Sequence, residues 1–148
     1  MSDSRWSRNR GEGHRLVVTV VRAAERLQKA ADRFLRDYGI TVAQFNLLAA
    51  LAANRDSLPQ SEIGTRLVVS RANVTGLVGR LQRLGLCRVD LDAADGRIRR
   101  VRLTPEGRRL LDRIEQPYFR EIRRLTRGLE AARLQHAVDT LERLLEQL

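Results

Sequence analysis

The sequence predicts a mainly α-helical fold that carries one small β-hairpin. Apolar residues recur every three or four positions through most of the chain, which is typical of helices that bury one face. Apolar and polar residues alternate over residues 87–91 and again over 99–103, which is typical of half-buried strands. Cap and breaker residues divide the helical pattern into six helices.

The first two helices are predicted from their periodicity and their ends. Helix one covers residues 12–37, and Gly39 suits the left-handed backbone that follows many helices. Thr41 begins helix two and forms a capping box with Gln44. The core face of helix two is predicted to be Phe45, Leu48 and Leu51. Residues 54–58 are predicted to form a loop.

The centre of the chain predicts two short helices joined by a tight turn. Helix three extends from about Pro59 to Leu67, and Ser70 caps helix four, which continues to about Leu84. Gly85 ends it, and the hairpin follows with residues 92–97 at its tip. A helix pair followed by a basic hairpin is the layout of a winged helix-turn-helix, which presents one helix and one loop to DNA.

Two further helices are predicted after the hairpin. Thr104 caps helix five, and Pro105 occupies its first position, where a missing N–H has no cost. Pro117 lies inside helix five and predicts a kink, and Gly128 closes the helix. Helix six covers about residues 131–147. Its apolar seam consists of Leu134, Val138, Leu141, Leu145 and Leu148.

The positive charge of the chain is concentrated around the helix pair and the hairpin. The net charge is +10, and residues 60–109 contribute eleven basic against five acidic side chains. Residues 110–148 carry seven of each. A basic segment flanked by a neutral one is typical of a phosphate-binding surface.

Composition also limits the other classes of protein. The sequence has no apolar run long enough to span a bilayer and no secretion signal, so a cytoplasmic protein without a membrane partner is expected. The single cysteine, Cys87, is expected to be a buried structural thiol. His14 and His136 have no partners at metal-ligand or triad spacing, so no metal, no cofactor and no enzymatic activity are predicted.

Five linked motifs in the middle of the chain resemble those of the MarR (multiple antibiotic resistance regulator) family of transcription factors. The first motif is Gln60-Ser61-Glu62-Ile63, at the beginning of the helix pair. The second helix of the pair begins with Ser70-Arg71-x-x-Val74-Thr75 and ends with Leu84-Gly85-Leu86. An Asp-x-Arg pair at residues 95–97 and a Leu-Thr-Pro-x-Gly run at 103–107 complete the set. The resemblance implies one domain over residues 1–148. Its winged DNA-binding lobe would cover residues 41–104, with dimerisation helices at 12–37 and 106–148.

Helix four is predicted to turn Val74, Leu77, Val78 and Leu81 towards the core, and its opposite face is the predicted reader of the DNA major groove. Its outward face can pair Asn73 with adenine and Arg71 with guanine, and each pair would contribute about 1–3 kcal/mol of discrimination. Ser70 and Thr75 can donate to phosphates, although Ser70 is at least as well explained as a helix cap. Gly76 either allows close approach of the duplex or is merely tolerated by the packing, and Gly79 is open to the same two interpretations. The predicted DNA-binding residues before the wing are Ser61, Ser70, Arg71, Ala72, Asn73, Thr75, Gly76 and Arg80.

The tip of the hairpin predicts contact with the minor groove. An arginine at such a tip can enter a narrow minor groove, where the negative potential is enhanced. Arg97 is assigned this role, and Asp95 is expected to hold its guanidinium. Arg99 and Arg100 are included in the predicted DNA-binding set, and Arg100 shares an outer strand face with Arg102. That face either reaches phosphates or is simply solvated.

The apolar faces of helices one, five and six predict a second copy of the chain as partner, because a small winged lobe could not cover them. The predicted dimer contacts are Val17, Val20, Leu134, Val138, Leu141 and Leu145. The resemblance further implies a pocket for a small apolar or aromatic ligand. Its candidate lining is Phe34, Tyr38, Phe45 and Tyr118, each equally well explained as a core or dimer contact.

The sequence therefore predicts a homodimeric regulator that binds a pseudo-palindromic double-stranded DNA operator. It is expected to be a repressor that a small molecule releases. The alternative is a ligand-independent regulator or an architectural DNA-binding protein. A winged domain that docks another protein is the competing class, and the basic constellation around Arg71, Asn73 and Arg97 argues against it.

Overall fold

The computed structural model describes residues 11–67 and 71–148, with the backbone alone for Arg71 and Ala72. The helices are α1 (Glu12–Arg36), α2 (Val42–Ala53), α3 (Gln60–Leu67), α4 (Arg71–Arg83), α5 (Pro105–Leu125) and α6 (Ala131–Leu145). The strands are β1 (Ser57–Pro59), β2 (Cys87–Leu91) and β3 (Arg99–Leu103). The mainly α-helical class with a small β-hairpin is confirmed.

The chain divides into two compact units, Met1–Leu111 and Asp112–Leu148. The first unit contains the helix pair, the hairpin and a core of aliphatic side chains. The most completely buried members of that core are Leu35, Leu47, Leu48, Leu51, Ile63, Leu81 and Val101. The assignment of one MarR-like domain to residues 1–148 stays a prediction.

The prediction that residues 54–58 form a loop is wrong in its last two positions, because Ser57 and Leu58 begin β1. This strand pairs with β3, so the sheet has three antiparallel strands in the order β1-β3-β2. Leu58 lies opposite Val101 and is 3% exposed. A three-residue strand shows no alternation of its own, and its partner is more than forty positions away in the sequence. Only the tertiary pairing reveals it.

The start of the third helix also differs from the prediction. Pro59 is the last residue of β1, and α3 begins at Gln60. A proline is tolerated here because β1 is an edge strand, where its missing N–H breaks no ladder bond. The turn before β1 places Arg55 at φ +54° and Asp56 at φ +63°, which is rare for residues that have a side chain.

Helix α2 is buried on more sides than its sequence predicted. Leu48 and Leu51 are buried as expected, but Phe45 is only half-buried, whereas Leu47 is fully buried. Leu47 is buried because α2 lies between other elements and contacts α1, α3, α4 and two strands. The predicted capping box is confirmed, since Gln44 N donates to Thr41 Oγ1 at 3.3 Å and Thr41 N donates to Gln44 Oε1 at 2.8 Å.

A second cap joins the hairpin to α5. Gly107 N donates to Thr104 Oγ1 at 3.1 Å, and the same hydroxyl donates to the carbonyl of Gly85 at 2.7 Å. A Cβ built on Gly107 would lie 2.2 Å from the carbonyl oxygen of Leu86. The glycine of the Leu-Thr-Pro-x-Gly run is therefore required by the close approach of two backbone segments.

Large apolar side chains remain exposed along the terminal helices. In α1, Val17 is 48%, Val21 is 58% and Leu27 is 53% exposed. Helix α5 is continuous through Pro117, and α6 has no buried residue. Within the described residues, no helix has both the length and the apolar content that crossing a membrane requires.

Candidate nucleic-acid interface

Helix α4 turns the predicted apolar face inward and the predicted reading face outward. Val74, Leu77, Val78 and Leu81 are all at most 6% exposed. Asn73, Thr75, Gly76 and Arg80 are exposed. The first turns of the helix thus present an amide, a hydroxyl and a stretch of bare backbone to solvent.

Three of the predicted DNA-binding residues are Ser70, Arg71 and Ala72. Ser70 lies outside the described residues, and so do the side chains of Arg71 and Ala72. Their assignment as DNA contacts stays a prediction. Ser61 is exposed in the first turn of α3, as a phosphate contact would require.

Helix α3 is tied to α4 by a side-chain contact that sequence reasoning did not find. Gln60 Nε2 donates to Thr75 Oγ1 at 3.5 Å. The hydroxyl predicted to contact phosphate therefore also accepts a bond from the neighbouring helix. The two residues are fifteen positions apart in the sequence, so no local sequence pattern predicts their hydrogen bond.

The glycines of α4 have room for a side chain. A Cβ at Gly76 would approach nothing closer than Arg80 Nη2 at 3.7 Å, and one at Gly79 nothing closer than Arg83 Nη1 at 3.8 Å. These are ordinary van der Waals distances. Intramolecular packing among the described residues does not demand glycine at either position, although each costs about 1 kcal/mol of helix stability relative to alanine.

The wing loop is held by two aspartates that cap its backbone. Asp92 Oδ1 accepts from the N–H of Ala94 at 2.9 Å and of Asp95 at 3.2 Å. Asp95 Oδ1 accepts from the N–H of Arg97 at 3.0 Å. The expectation that Asp95 holds the Arg97 guanidinium is therefore corrected, since this carboxylate binds the backbone of Arg97 instead. In the part of the chain that the structure describes, the guanidinium makes no ion pair, and Arg97 is exposed.

The outer face of the hairpin is an ion-pair network. Arg100 Nε donates to Asp92 Oδ2, and Arg88 Nε and Arg102 Nε lie 3.0 and 3.2 Å from Asp90 Oδ2. The hydrogen bond from Arg100, followed by the two backbone N–H groups, lowers the pKa of Asp92 to about 2. Arg100 and Arg102 share the outer face as expected, but Arg100 is paired with Asp92, and Arg102 shares Asp90 with Arg88.

Asp92 and Asp90 were not among the predicted site residues. The role of Asp92 could have been predicted from the sequence, because an aspartate at the start of a turn commonly accepts hydrogen bonds from backbone N–H groups two and three residues later. The Asp90 contacts depend on the strand register, which places Arg88 directly opposite Arg102. Like charges at that spacing repel each other unless a carboxylate separates them.

The ion pairs reduce the number of cations available to phosphate. Of the eleven basic residues in 60–109, Arg66, Arg88, Arg100, Arg102, Arg108 and Arg109 are paired with carboxylates. Arg80, Arg83, Arg97 and Arg99 have no ion pair among the described residues. The arginines without an ion pair therefore lie on α4 and the hairpin, and one further positive charge stays on the hairpin face, where Arg88 and Arg102 share Asp90.

The remaining candidates for reactive or metal-binding groups are Cys87 and clusters of His, Cys, Asp and Glu side chains. Cys87 is 3% exposed, its Sγ lies 3.8 Å from the carbonyl oxygen of Val78, and burial raises the pKa of this thiol to about 11. A thiol in this state is a poor nucleophile at neutral pH. Among the described residues, no three His, Cys, Asp or Glu side chains are grouped to hold a metal ion.

The predicted ligand residues occupy two places in the chain. The rings of Phe34 and Tyr38 pack at 5.5 Å near the end of α1, and Phe45 is half-buried in α2. Tyr118 lies in the second unit, where its ring meets Phe119 at 5.5 Å. An open cavity of about 430 Å³ lies beside the end of α1. Its lining is Asp32, Arg36, Gly39, Ile40 and Thr41.

The predicted dimer contacts are largely uncovered in the single chain. Val138 is 47%, Leu141 is 37% and Leu145 is 67% exposed, and Leu134 and Val20 are half-buried. Each unit therefore presents an apolar helix face to solvent.

Sequence comparison finds that this part of the chain is similar to transcriptional regulators. Residues 38–98 match the sequence model of the MarR family. The chain is 33% identical over 109 residues to the transcriptional activatory protein BadR of Rhodopseudomonas palustris. That match covers 72% of this chain but 62% of BadR, which is less than two thirds of its length. The chain is also 30% identical to the regulator PrsX of Escherichia coli, with coverage of 74% of this chain and 68% of PrsX.

Solved structures give the same result for the fold. The regulator MosR of M. tuberculosis, solved in complex with DNA, has a TM-score of 0.69 and 32% identity, covering 88% of this chain and 96% of MosR. BpsR of Bordetella bronchiseptica, solved in a study of how 6-hydroxynicotinic acid regulates its DNA binding, has a TM-score of 0.72 and 28% identity. That match covers 87% of this chain and 98% of BpsR.

Proposed function

The chain belongs to the MarR family of winged-helix transcriptional regulators, and we therefore propose that it binds double-stranded DNA sequence-specifically. Helix α4 would enter the major groove and the wing the adjacent minor groove. MosR, whose sequence is 32% identical, was solved with DNA and supports this assignment.

The proposal depends mainly on the charged side chains of the wing. The carboxylates of Asp92 and Asp95 accept hydrogen bonds from the loop backbone, and Asp92 also pairs with Arg100. Arg97, at the tip, has an exposed side chain. Such a preformed loop loses little conformational entropy when its arginine enters a narrow groove.

Binding-site selection from a random duplex pool tests the proposal. The wild-type protein should enrich a pseudo-palindrome with half-sites about one turn of B-DNA apart. Asn73→Ala should relax base preference at one position of each half-site, at a cost of about 1–3 kcal/mol per half-site. Arg97→Ala should weaken binding mainly where the flanks are A·T-rich. A selection without any enriched sequence would refute the proposal.

We propose further that the regulator acts as a homodimer. The support is the exposed apolar seam of α6 together with the exposed aliphatic side chains of α1. A two-fold dimer would place two copies of α4 on a symmetric operator.

The finer proposal is a repressor that a small apolar or aromatic ligand releases. BpsR, whose DNA binding 6-hydroxynicotinic acid regulates, supports ligand control, and the Phe34–Tyr38 pair offers an aromatic surface for such a ligand. A tenfold preference for the DNA-incompetent dimer is about 1.4 kcal/mol per site, so two sites would lower operator affinity about a hundredfold. Compounds found by thermal-shift screening provide the test. If stabilising compounds leave operator affinity unchanged, the ligand-independent regulator replaces this proposal.

A further inference from the structure

Helix α1 carries a row of basic side chains that the proposed function does not use. At 3.6 residues per turn, six basic positions of this helix fall within an arc of about 80°. We call them the α1 basic row: Arg15, Arg22, Arg26, Lys29, Arg33 and Arg36. All six are exposed. At 1.5 Å per residue, the row is about 31 Å long.

Most of this positive charge has no internal partner. Arg15 Nη1 lies 3.3 Å from Glu12 Oε1, whereas the other five residues form no ion pair within the described part of the chain. Helix α1 has six basic and three acidic residues, a net charge of +3. Glu25 and Asp32 lie along one edge of the row and lower its net charge, although neither forms an ion pair with another described residue.

The row lies on the opposite side of α1 from its apolar face. Val17 and Leu27, each about half exposed, lie about 140° around the helix from Arg22 at the middle of the row. The proposed dimer would cover the apolar face, which leaves the basic row in solvent. The row therefore fits a partner other than the second copy.

We propose that the α1 basic row is a second binding surface for the phosphate backbone of duplex DNA, separate from α4 and the wing. Five of its six members are arginines, whose planar guanidinium can bind phosphate oxygens in a bidentate manner. Its length of about 31 Å is close to one turn of B-DNA. It presents no amide for base reading, so its binding is sequence-independent.

The inference rests on the proposed function, because DNA is the polyanion that this regulator is proposed to meet. The phosphates come either from the flanks of the operator duplex or from a second duplex. Both sources offer the same chemistry, and the experiment separates them.

The test compares two triple variants of the full chain that have the same change in charge. The first, Arg22→Gln/Arg26→Gln/Arg33→Gln, neutralises the row and keeps good helix formers. The control, Arg113→Gln/Arg127→Gln/Arg143→Gln, neutralises three exposed arginines of the second unit. These three also lack an ion pair among the described residues.

The first measurement is the affinity for a non-operator duplex as a function of salt. The row variant should bind at least about tenfold more weakly, and its slope of log affinity on log salt should be shallower by about 0.9 for each phosphate that it no longer neutralises. The control should stay within about threefold of the wild-type protein. An equal fall in affinity for the two variants would overturn the inference, because it would show a general effect of net charge.

The second measurement separates the two sources of phosphate. Operator duplex is fixed to beads, and a labelled non-operator duplex is offered in solution. If wild-type protein and the control capture the labelled duplex and the row variant does not, the row binds a second duplex. A different outcome is that no labelled duplex is captured, and that a longer operator duplex binds the wild-type protein more tightly but not the row variant. In that case the row binds the flanking DNA. Failure of both arms would overturn the inference.

A membrane surface is the competing partner for a basic amphipathic helix. Sedimentation with vesicles of phosphatidylcholine and phosphatidylserine tests it. Vesicle binding that depends on the row, combined with unchanged DNA binding by the row variant, would replace DNA by anionic lipid. If the protein selects no operator yet its non-operator binding still depends on the row, the proposed function fails and this inference stands.

Discussion

Arg100 of β3 donates through Nε to Oδ2 of Asp92, the residue that opens the wing loop. The same carboxylate caps the loop backbone through its other oxygen. Asp92 thus fixes the loop and removes Arg100 from the cations available to DNA. Arg97, two residues before β3, is left as the exposed cation of the tip.

The first prediction concerns the two functions of Asp92. Asp92→Asn keeps an oxygen for the backbone N–H groups but loses the ion pair, whereas Asp92→Ala loses both. Operator affinity, measured by fluorescence anisotropy, should fall about tenfold for the alanine variant and less for the asparagine variant, because loop order depends mainly on the caps. Equal affinities for the two variants would show that the caps do not matter.

The pH dependence of this contact follows from its lowered pKa. Asp92 has a pKa of about 2 in the folded protein against an ordinary value of 3.8. The stabilisation is therefore present above pH 3.8 and is lost as the pH falls towards 2. Backbone amide NMR shifts of the wing should stay constant through neutral pH down to about 4. Wing signals that titrate between about pH 5 and 7 would contradict this assignment.

Gly107 should be intolerant of any side chain. Gly107→Ala would bring a Cβ to 2.2 Å from the Leu86 carbonyl oxygen, so the hairpin and α5 would have to separate. The expected decrease in the free energy of unfolding is about 1–3 kcal/mol, measured by urea denaturation. Gly96→Ala in the wing, where a Cβ meets nothing within 4 Å, is the matched control.

Gly76 should respond in opposite directions in two assays. A Cβ fits at this exposed position, so Gly76→Ala should raise the free energy of unfolding by about 1 kcal/mol. Operator affinity should fall nevertheless, because the methyl group holds the duplex away from the backbone of α4. Denaturation and DNA titration of the same preparation check both. Unchanged affinity would leave tolerance by the fold as the explanation of this glycine.

The salt dependence of operator affinity should reflect the number of arginines that have no ion pair within the described part of the chain. Arg80, Arg83, Arg97 and Arg99 have no ion pair among the described residues, which gives eight such cations from these positions in a dimer. If each contacts a phosphate, the slope of log affinity on log salt is about −7. Titrations at several salt concentrations on a minimal operator measure it. A slope near zero would exclude the electrostatic interface.

The apolar seam of α6 should control the oligomeric state. Sedimentation at micromolar concentration should give a dimer of twice the 16.9 kDa chain. Val138→Glu/Leu145→Glu should shift it to monomer, because both side chains are exposed in the single chain. His136→Glu, on the other side of the same helix, is the control. A wild-type monomer would refute the proposed dimer.

Elements whose signals are local could be predicted from the amino-acid sequence alone. The Thr41 capping box, the inward face of α4 and the Thr104 cap depend on residues a few positions apart, and all three are confirmed. The alternation of β2 and β3 likewise predicted the hairpin. Periodicity and capping act within one or two turns of the chain, so they can be read without a structure.

Features that depend on distant partners required the folded chain. Strand β1 exists through pairing with β3, Leu47 is buried because α2 is surrounded, and Gly107 is required by the Leu86 backbone. The same holds for charge. The sequence has eleven basic residues between positions 60 and 109, and the fold determines which of them pair with aspartate or glutamate. Side chains far apart in the chain meet only after folding, so their contacts leave no local pattern.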